Sequence, residues 1–280
     1  MEDSAPARNS LSIPLAIVIA GALVAVAVYV SRGGAPATDT ATQQQNTTPP
    51  VAQPTQVESA ITVRAIGEAD HSLGNPASPL AVIVYTDLEC PFCKSFHNTM
   101  RQVADTYGKN GSVLWVYRHF PLTELHSKAA KESEAAECAA ELGGKEAFWD
   151  YVDELFKVTP SNNGLDPSEL PKIAARIGLD TQVEAFDACL SSNKYAQKVS
   201  NDRNEAGTAG GTGTPFSVFV GKKSISEKTL ASIQKLNEET VNPYSPNGLL
   251  TVSTDKRRVS MSGALQFIFV QRLIDTLLNN

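Results

Sequence analysis

Leu80-Ala81-Val82-Ile83-Val84-Tyr85-Thr86-Asp87-Leu88-Glu89-Cys90-Pro91-Phe92-Cys93 is the stretch that decides how this chain folds. Residues 80–85 form a near-continuous apolar run, the pattern of a parallel strand buried on both faces. Residues 94–107 read as a helix. That reading puts Cys90 at the N-cap and Pro91 at the first helical position, where its fixed φ suits the helix and its missing N–H costs nothing. A sulfur so placed faces unpaired main-chain N–H groups and the positive end of the helix dipole, which favour thiolate over thiol. Cys93, one turn on, can close a ring with Cys90 and act as the resolving thiol. The same spacing also serves zinc sites and structural disulfides. A zinc site needs a second ligand pair. His97 follows the cysteines too soon to supply one, and His119 and His126 stand alone on separate segments. Redox activity is the expectation, with no metal and no cofactor.

At 280 residues and 42% hydrophobic content, the chain can bury one good-sized core or two small ones. Residues 13–30 (IPLAIVIAGALVAVAVYV) are uncharged and apolar all round, at the lower length limit for crossing a bilayer. They exceed the usual apolar stretch of a cleaved signal, and no small-residue cleavage motif adjoins Tyr29-Val30. The expectation is a short tail (1–12), an uncleaved transmembrane anchor (13–30) and a disordered linker (31–60). The linker is rich in Thr, Gln, Pro and Ala and nearly free of large hydrophobes, so it lacks the means to build a core. Arg8 and Arg32 flank the anchor equally and leave its orientation open. The net charge of −6 is spread along the chain, with no basic face for nucleic acid. Four cysteines in a membrane-anchored chain fit an oxidising compartment.

From residue 61 the pattern gives a short strand (61–65), the strand 80–86, the cysteine helix and a second apolar strand (112–119). Strand, helix and strand in such close succession make a parallel unit. Helical patterns then fill 126–142, 145–156, 167–177, 181–190 and 194 to about 206, with breaks at Gly143-Gly144, 159–164 and Gly178. Such a run inside a sheet domain reads as a helical insertion, 122–211. The sheet resumes at 216–220 after Gly213-Thr214-Pro215, a strand-opening proline where a cis peptide is expected. Beyond Val220 come a charged helix (224–239) with a Ser224-x-x-Glu227 capping box and a Leu230, Ile233, Leu236 stripe, two strands (249–253, 258–261) and a closing helix (263–278).

Taken in order, several motifs resemble the DsbA-like branch of the thioredoxin superfamily. They are Asp70-His71-Ser72-Leu73-Gly74-Asn75-Pro76, then Tyr85 to Cys93, then Arg118-His119-Phe120-Pro121-Leu122 with His126. Ala135-Ala136-Glu137-Cys138-Ala139 with Phe148-Trp149 follows, and Gly213-Thr214-Pro215-Phe216 is last. The resemblance covers roughly residues 69–220. It implies an α/β, thioredoxin-like fold with an inserted helical subdomain, the whole occupying 61–280. It further implies Cys90 as an exposed nucleophile, Cys93 as its buried partner, and Pro215 as a cis-proline against the disulfide, with Pro91, Phe92 and Thr214 completing the site. The family usually makes the link after Val220 in a few residues; the extra helix and strand here read as cover for a sheet edge.

Cys138 and Cys189 each sit on an apolar helical stripe and read equally as small buried hydrophobes. As a leftover even pair in an exported domain, whose relatives sometimes carry a second disulfide, they are expected to bond. His97 reads as a solvated helix residue that could favour the thiolate, and His126 as a structural residue opening the first inserted helix. Asp87 and Glu89 would oppose thiolate formation or accept protons. The aromatics Phe148, Trp149, Tyr151 and Phe156 read as core.

These readings combine into a membrane-anchored, extracytoplasmic thiol-disulfide oxidoreductase that forms disulfide bonds in exported proteins. Its partners would be exported protein or peptide thiols, the membrane through residues 13–30, and a membrane redox partner, quinone-linked as the resemblance suggests, that reoxidises Cys90-Cys93. Two readings stay beside it: a reductase or isomerase of the same fold, since Phe92 does not set the direction, and a tethered peptide-binding module with an idle disulfide.

Overall fold

The computed structural model describes residues 60–280. The tail, the anchor and all but the last residue of the expected linker lie outside the described residues. Among the described residues no helix is long and apolar enough to cross a membrane.

Strands β1 (His71–Leu73), β2 (Leu80–Thr86), β3 (Val113–His119), β4 (Phe216–Gly221), β5 (Leu250–Val252) and β6 (Arg258–Ser262) form one sheet in the order β1-β3-β2-β4-β6-β5. β2 and β3 run parallel, with Val82 opposite Trp115 and Val84 opposite Tyr117. The remaining pairings are antiparallel. Both faces of β2 are covered, which is why its sequence does not alternate. Leu80, Val82 and Val84 join Trp115 and Tyr117 in one cluster, whereas Ile83 and Tyr85 join Leu114, Val116 and Ala206 in another.

The helices are α1 (Pro91–Val103), α2 (Ala129–Val158), α3 (Glu169–Ala174), α4 (Val183–Ser191), α5 (Ala196–Thr208), α6 (Glu227–Glu238) and α7 (Phe267–Leu278). Phe96, Met100 and Val103 of α1, Phe148 and Val152 of α2, and Val270, Leu273 and Ile274 of α7 pack into the larger cluster. α5 supplies Ala206 to the other face. The break expected at Gly143-Gly144 is a kink inside α2, where Gly144 takes φ 78°, a backbone state open to glycine at little cost. Cys138 of α2 and Cys189 of α4 are joined by a disulfide, Cα to Cα 5.9 Å.

Three expectations need correction. No strand forms over 61–65; the edge strand is His71–Leu73, paired with β3. Ile61 is buried with Ile83 and Ala206, and the Arg64 main-chain N–H donates to Glu205 Oε1 at 3.1 Å. The alternation at 61–65 therefore serves packing against α5 and not a ladder. The cap of α6 is Ser226, whose Oγ accepts from Thr229 N, because the Ile225 N–H is drawn to Lys256 O and holds Ser224 outside the helix. α7 begins at Phe267 rather than 263, since Gly263 turns at φ 87° and donates to Pro215 O.

The Asp70 and Arg118-His119 motifs are structural. Arg118, fully buried, bonds Asp70 through Nε and Nη2 at 2.9 and 3.0 Å and also pairs with Glu205. His119 and His71 share the Glu137 carboxylate at 2.8 and 3.0 Å. These bonds tie β1 and α5 to β3. β5 takes the outer place beside β6, so the extension beyond β4 lengthens the sheet and covers its edge.

Candidate active site

β2 ends at Thr86, and the next three residues turn the chain into α1. Asp87 builds that turn: its Oδ1 accepts the Glu89 N–H at 2.8 Å and its carbonyl accepts the Cys90 N–H at 3.2 Å. Cys90 is the N-cap of α1 with extended backbone (φ −79°, ψ 122°) and Pro91 opens the helix. Cys93 faces back into the turn, where its Sγ accepts the Asp87 N–H at 3.4 Å. From the far end of the fold, the Thr214–Pro215 bond is cis and Thr214 O lies 3.5 Å from Cys90 Sγ. One site thus gathers Cys90, Pro91, Phe92, Cys93, Thr214 and Pro215.

Both cysteines are free thiols here. Cys90 is held down at about 6, chiefly by a hydrogen bond from the Cys93 thiol, against the opposing pull of burial. Contacts from Thr214 and the N–H groups of Cys93 and Phe92 add to it. The helix start matters, but the partner sulfur matters more. Cys93 is pushed well above an ordinary thiol, first by burial and then by giving its hydrogen to Cys90. One thiol is poised as nucleophile and the other keeps its proton. Cys90 is less open than the resemblance implied: its residue is 5% exposed, against 1% for Cys93 and 65% for Phe92. The sulfur is recessed beside Thr214, and Phe92 is what stands out.

His97 does not have the place expected of it. It is buried, bonded to Asp153 at 2.5 Å and packed on Trp115 and Phe156, so it is not solvated; burial lowers its pKa against the pull of Asp153. His126 precedes α2 and its Nδ1 lies 2.9 Å from Asp87 Oδ2. Asp87 and Glu89 are fully buried. Glu89 is held by the loop after α2: its carbonyl accepts Asn162 N at 2.8 Å and its Oε2 accepts Asn163 N at 2.5 Å. Ser161, Asn162 and Asn163 all have φ between 53° and 64°. The signal for this site wall was present in the Ser-Asn-Asn-Gly composition, which favours left-handed turns, but nothing in sequence linked it to Glu89. Behind Glu89, burial and the Glu89 carboxyl raise the pKa of buried Glu132. Among the described residues no His, Cys, Asp and Glu cluster is arranged to hold a metal ion.

A family model described as thioredoxin matches residues 67–239. The chain belongs to the thioredoxin family. Within it, the fold is DsbA-like. The chain is similar to α-DsbA1 of Wolbachia pipientis (22% identity, TM-score 0.56, 76% of this chain and 93% of that one). It is also similar to BdbD of Bacillus subtilis (16%, 0.55, 75% and 94%). A third is the thiol-disulfide exchange protein α-DsbA2 of Wolbachia pipientis (18%, 0.52, 74% and 87%). These likenesses concern the fold. Among curated proteins, the chain is 33% identical over 156 residues to the Na(+)/H(+) antiporter NhaA 1 of Mycolicibacterium gilvum, covering 56% of this chain and 24% of that protein. A similar match reaches NhaA 3 of Salinispora tropica, 22% of whose length is covered. The chain spans about a quarter of the length of these relatives, so their names describe them and not this thioredoxin-family domain.

Proposed function

We propose that this protein is a thiol-disulfide oxidoreductase that oxidises dithiols of exported proteins, held at the membrane by residues 13–30 on the extracytoplasmic side. The observation that carries the reading is the opposite setting of two adjacent thiols, Cys90 at about 6 and Cys93 well above 9. In the disulfide form, a substrate thiolate attacks Cys90 and Cys93 leaves. A second substrate thiolate then attacks the mixed disulfide, and Cys90 departs easily because its thiolate is stabilised. The exposed apolar side chain of Phe92, within the cysteine motif, suits an unfolded peptide. A membrane-held oxidant would restore the disulfide. The Cys138–Cys189 bond supports an oxidising compartment.

The direction has a second reading, since about 6 lies between the roughly 7 of thioredoxin and the roughly 3.5 of DsbA. Two measurements on the full chain test these readings. Cys90→Ser is expected to abolish oxidation of a reduced substrate, and full activity in that variant would end the enzymatic reading. Equilibration with glutathione buffers is expected to give a potential above that of thioredoxin, about −270 mV; a value at or below it would make the protein a reductase.

A further inference from the structure

His126 is the titratable group beside the cysteines for which the dithiol chemistry has no use. Asp87 joins it to both cysteines: the Asp87 carbonyl accepts the Cys90 main-chain N–H, its N–H donates to Cys93 Sγ, and its Oδ2 lies 2.9 Å from His126 Nδ1. The Leu122 N–H also donates to Oδ2, at 2.7 Å, fixing the carboxylate for the ring. The imidazole is buried. Asn162, from the loop after α2, also acts on the ring through its side chain, and Cys90 acts on it through charge. Glu89, Glu132 and Lys128 lie a layer further back around Asp87, and Tyr117 of β3 lies near Cys93 and Asp87. Burial disfavours the imidazolium, yet Asp87 and Cys90 outweigh it and raise the pKa.

We propose that His126, clamped by Asp87, is the counter-charge of the Cys90 sulfur and sets the oxidising strength of the pair. The inference rests on the redox reading of Cys90-Cys93. When a substrate dithiol reduces the disulfide, two electrons pass from the substrate sulfurs to Cys90 and Cys93, and a substrate S–S bond replaces the protein's. Of the two protons released, Cys93 keeps one and the other goes to water, leaving Cys90 as thiolate. An imidazolium at Asp87 stabilises that thiolate, favours the reduced state and makes the disulfide the stronger oxidant. His126 is a positioning residue here, since it acts through charge and does not touch the substrate.

The test is His126→Gln in the full chain, with His126→Arg to restore the charge. In the folded Gln variant, thiolate absorbance against pH should place the Cys90 midpoint about one unit higher. At pH 7 that weakens the reduced state about fivefold, or about 20 mV at 30 mV per tenfold. The Arg variant should move both values back toward the wild type. An unchanged Cys90 midpoint in folded His126→Gln would overturn the proposal. Should Gln fail to fold, the wild type decides. Linkage requires the same coupling from the other side, so the His126 ring resonance should titrate at higher pH in reduced than in oxidised protein. Equal midpoints would refute the coupling. Both readouts are equilibrium properties of the sulfur and the ring, so they stand apart from the turnover of Cys90→Ser that tests the function.

Discussion

Cys90 Sγ lies 3.5 Å from the carbonyl oxygen of Thr214, 124 residues further along the chain. The contact joins the start of α1 to the entry of β4 across the middle of the sheet, because β2 and β4 are neighbours with Tyr85 opposite Phe216. The strand that delivers the cysteines thus lies beside the strand that delivers their wall. The Thr214 hydroxyl is buried without another partner and faces the sulfurs. It can donate to the thiolate when Cys90 ionises.

Alkylation of reduced protein should follow a single midpoint near the value of about 6 held by Cys90, while Cys93 stays protonated until well above 9. Thr214→Val keeps the shape and removes the hydroxyl, so the midpoint should rise toward that of an ordinary thiol. Rate against pH, with peptide mapping of the labelled cysteine, is the measurement. Equal labelling of both cysteines at pH 7 would contradict the assigned roles.

The elements that bury apolar residues on both faces or at helical spacing were legible in the sequence. β2, β3, β4 and the cysteine helix lie close to their expected places because Val82, Ile83, Trp115 and Val116 leave little choice of environment. Residues 61–65 misled because an alternating extended segment packs equally well on a helix, and α5 was the surface that Ile61 met. Asp87 was visible as a charge near the cysteines, and its main-chain bonds to Cys90 and Cys93 are local, but its carboxylate bonds to His126 and Leu122 depend on where the loop before α2 returns. Sequence separation hides such a junction. The same holds for the loop of Asn162 and Asn163 on Glu89, 73 and 74 residues away.

Replacing Cys138 and Cys189 together by Ala releases a loop closed over 51 residues. The chain-entropy account puts the loss at about 4 kcal/mol. Denaturant unfolding of both proteins, with Cys90-Cys93 reduced in each, gives the difference directly. A loss under about 1 kcal/mol would mean that the helices of the insertion hold each other without the bond.

Arg118→Ala should destabilise the fold by less than the about 3–5 kcal/mol of a stranded buried charge, since it removes one of the two guanidinium groups paired with buried Asp70 and half-buried Glu205 and leaves Arg64 as the other. Neutralising those partners in the same chain, as Asp70→Asn and Glu205→Gln, should recover part of the loss. Urea midpoints of the single and triple variants test this. No recovery would show that Arg118 acts through packing of its stem rather than through charge.

Glu132 should make the protein less stable as the pH rises. The carboxyl is buried and faces Glu89, and burial first, with Glu89 second, lifts its pKa well above the ordinary range. In the unfolded chain it ionises near 4.5. Above that pH the folded state binds one more proton than the unfolded state, so each further unit of pH lowers the unfolding free energy until the folded carboxyl itself ionises. Glutamine has nearly the same shape, stays neutral and carries no such cost. Glu132→Gln should therefore be more stable than the wild type at pH 8 and nearly equal to it at pH 4, where both side chains are neutral in both states. Urea unfolding at the two pH values decides the matter. A variant that is less stable at pH 8 would mean that Glu132 is ionised in the fold and paired, by Lys128 for instance, rather than holding a proton against Glu89.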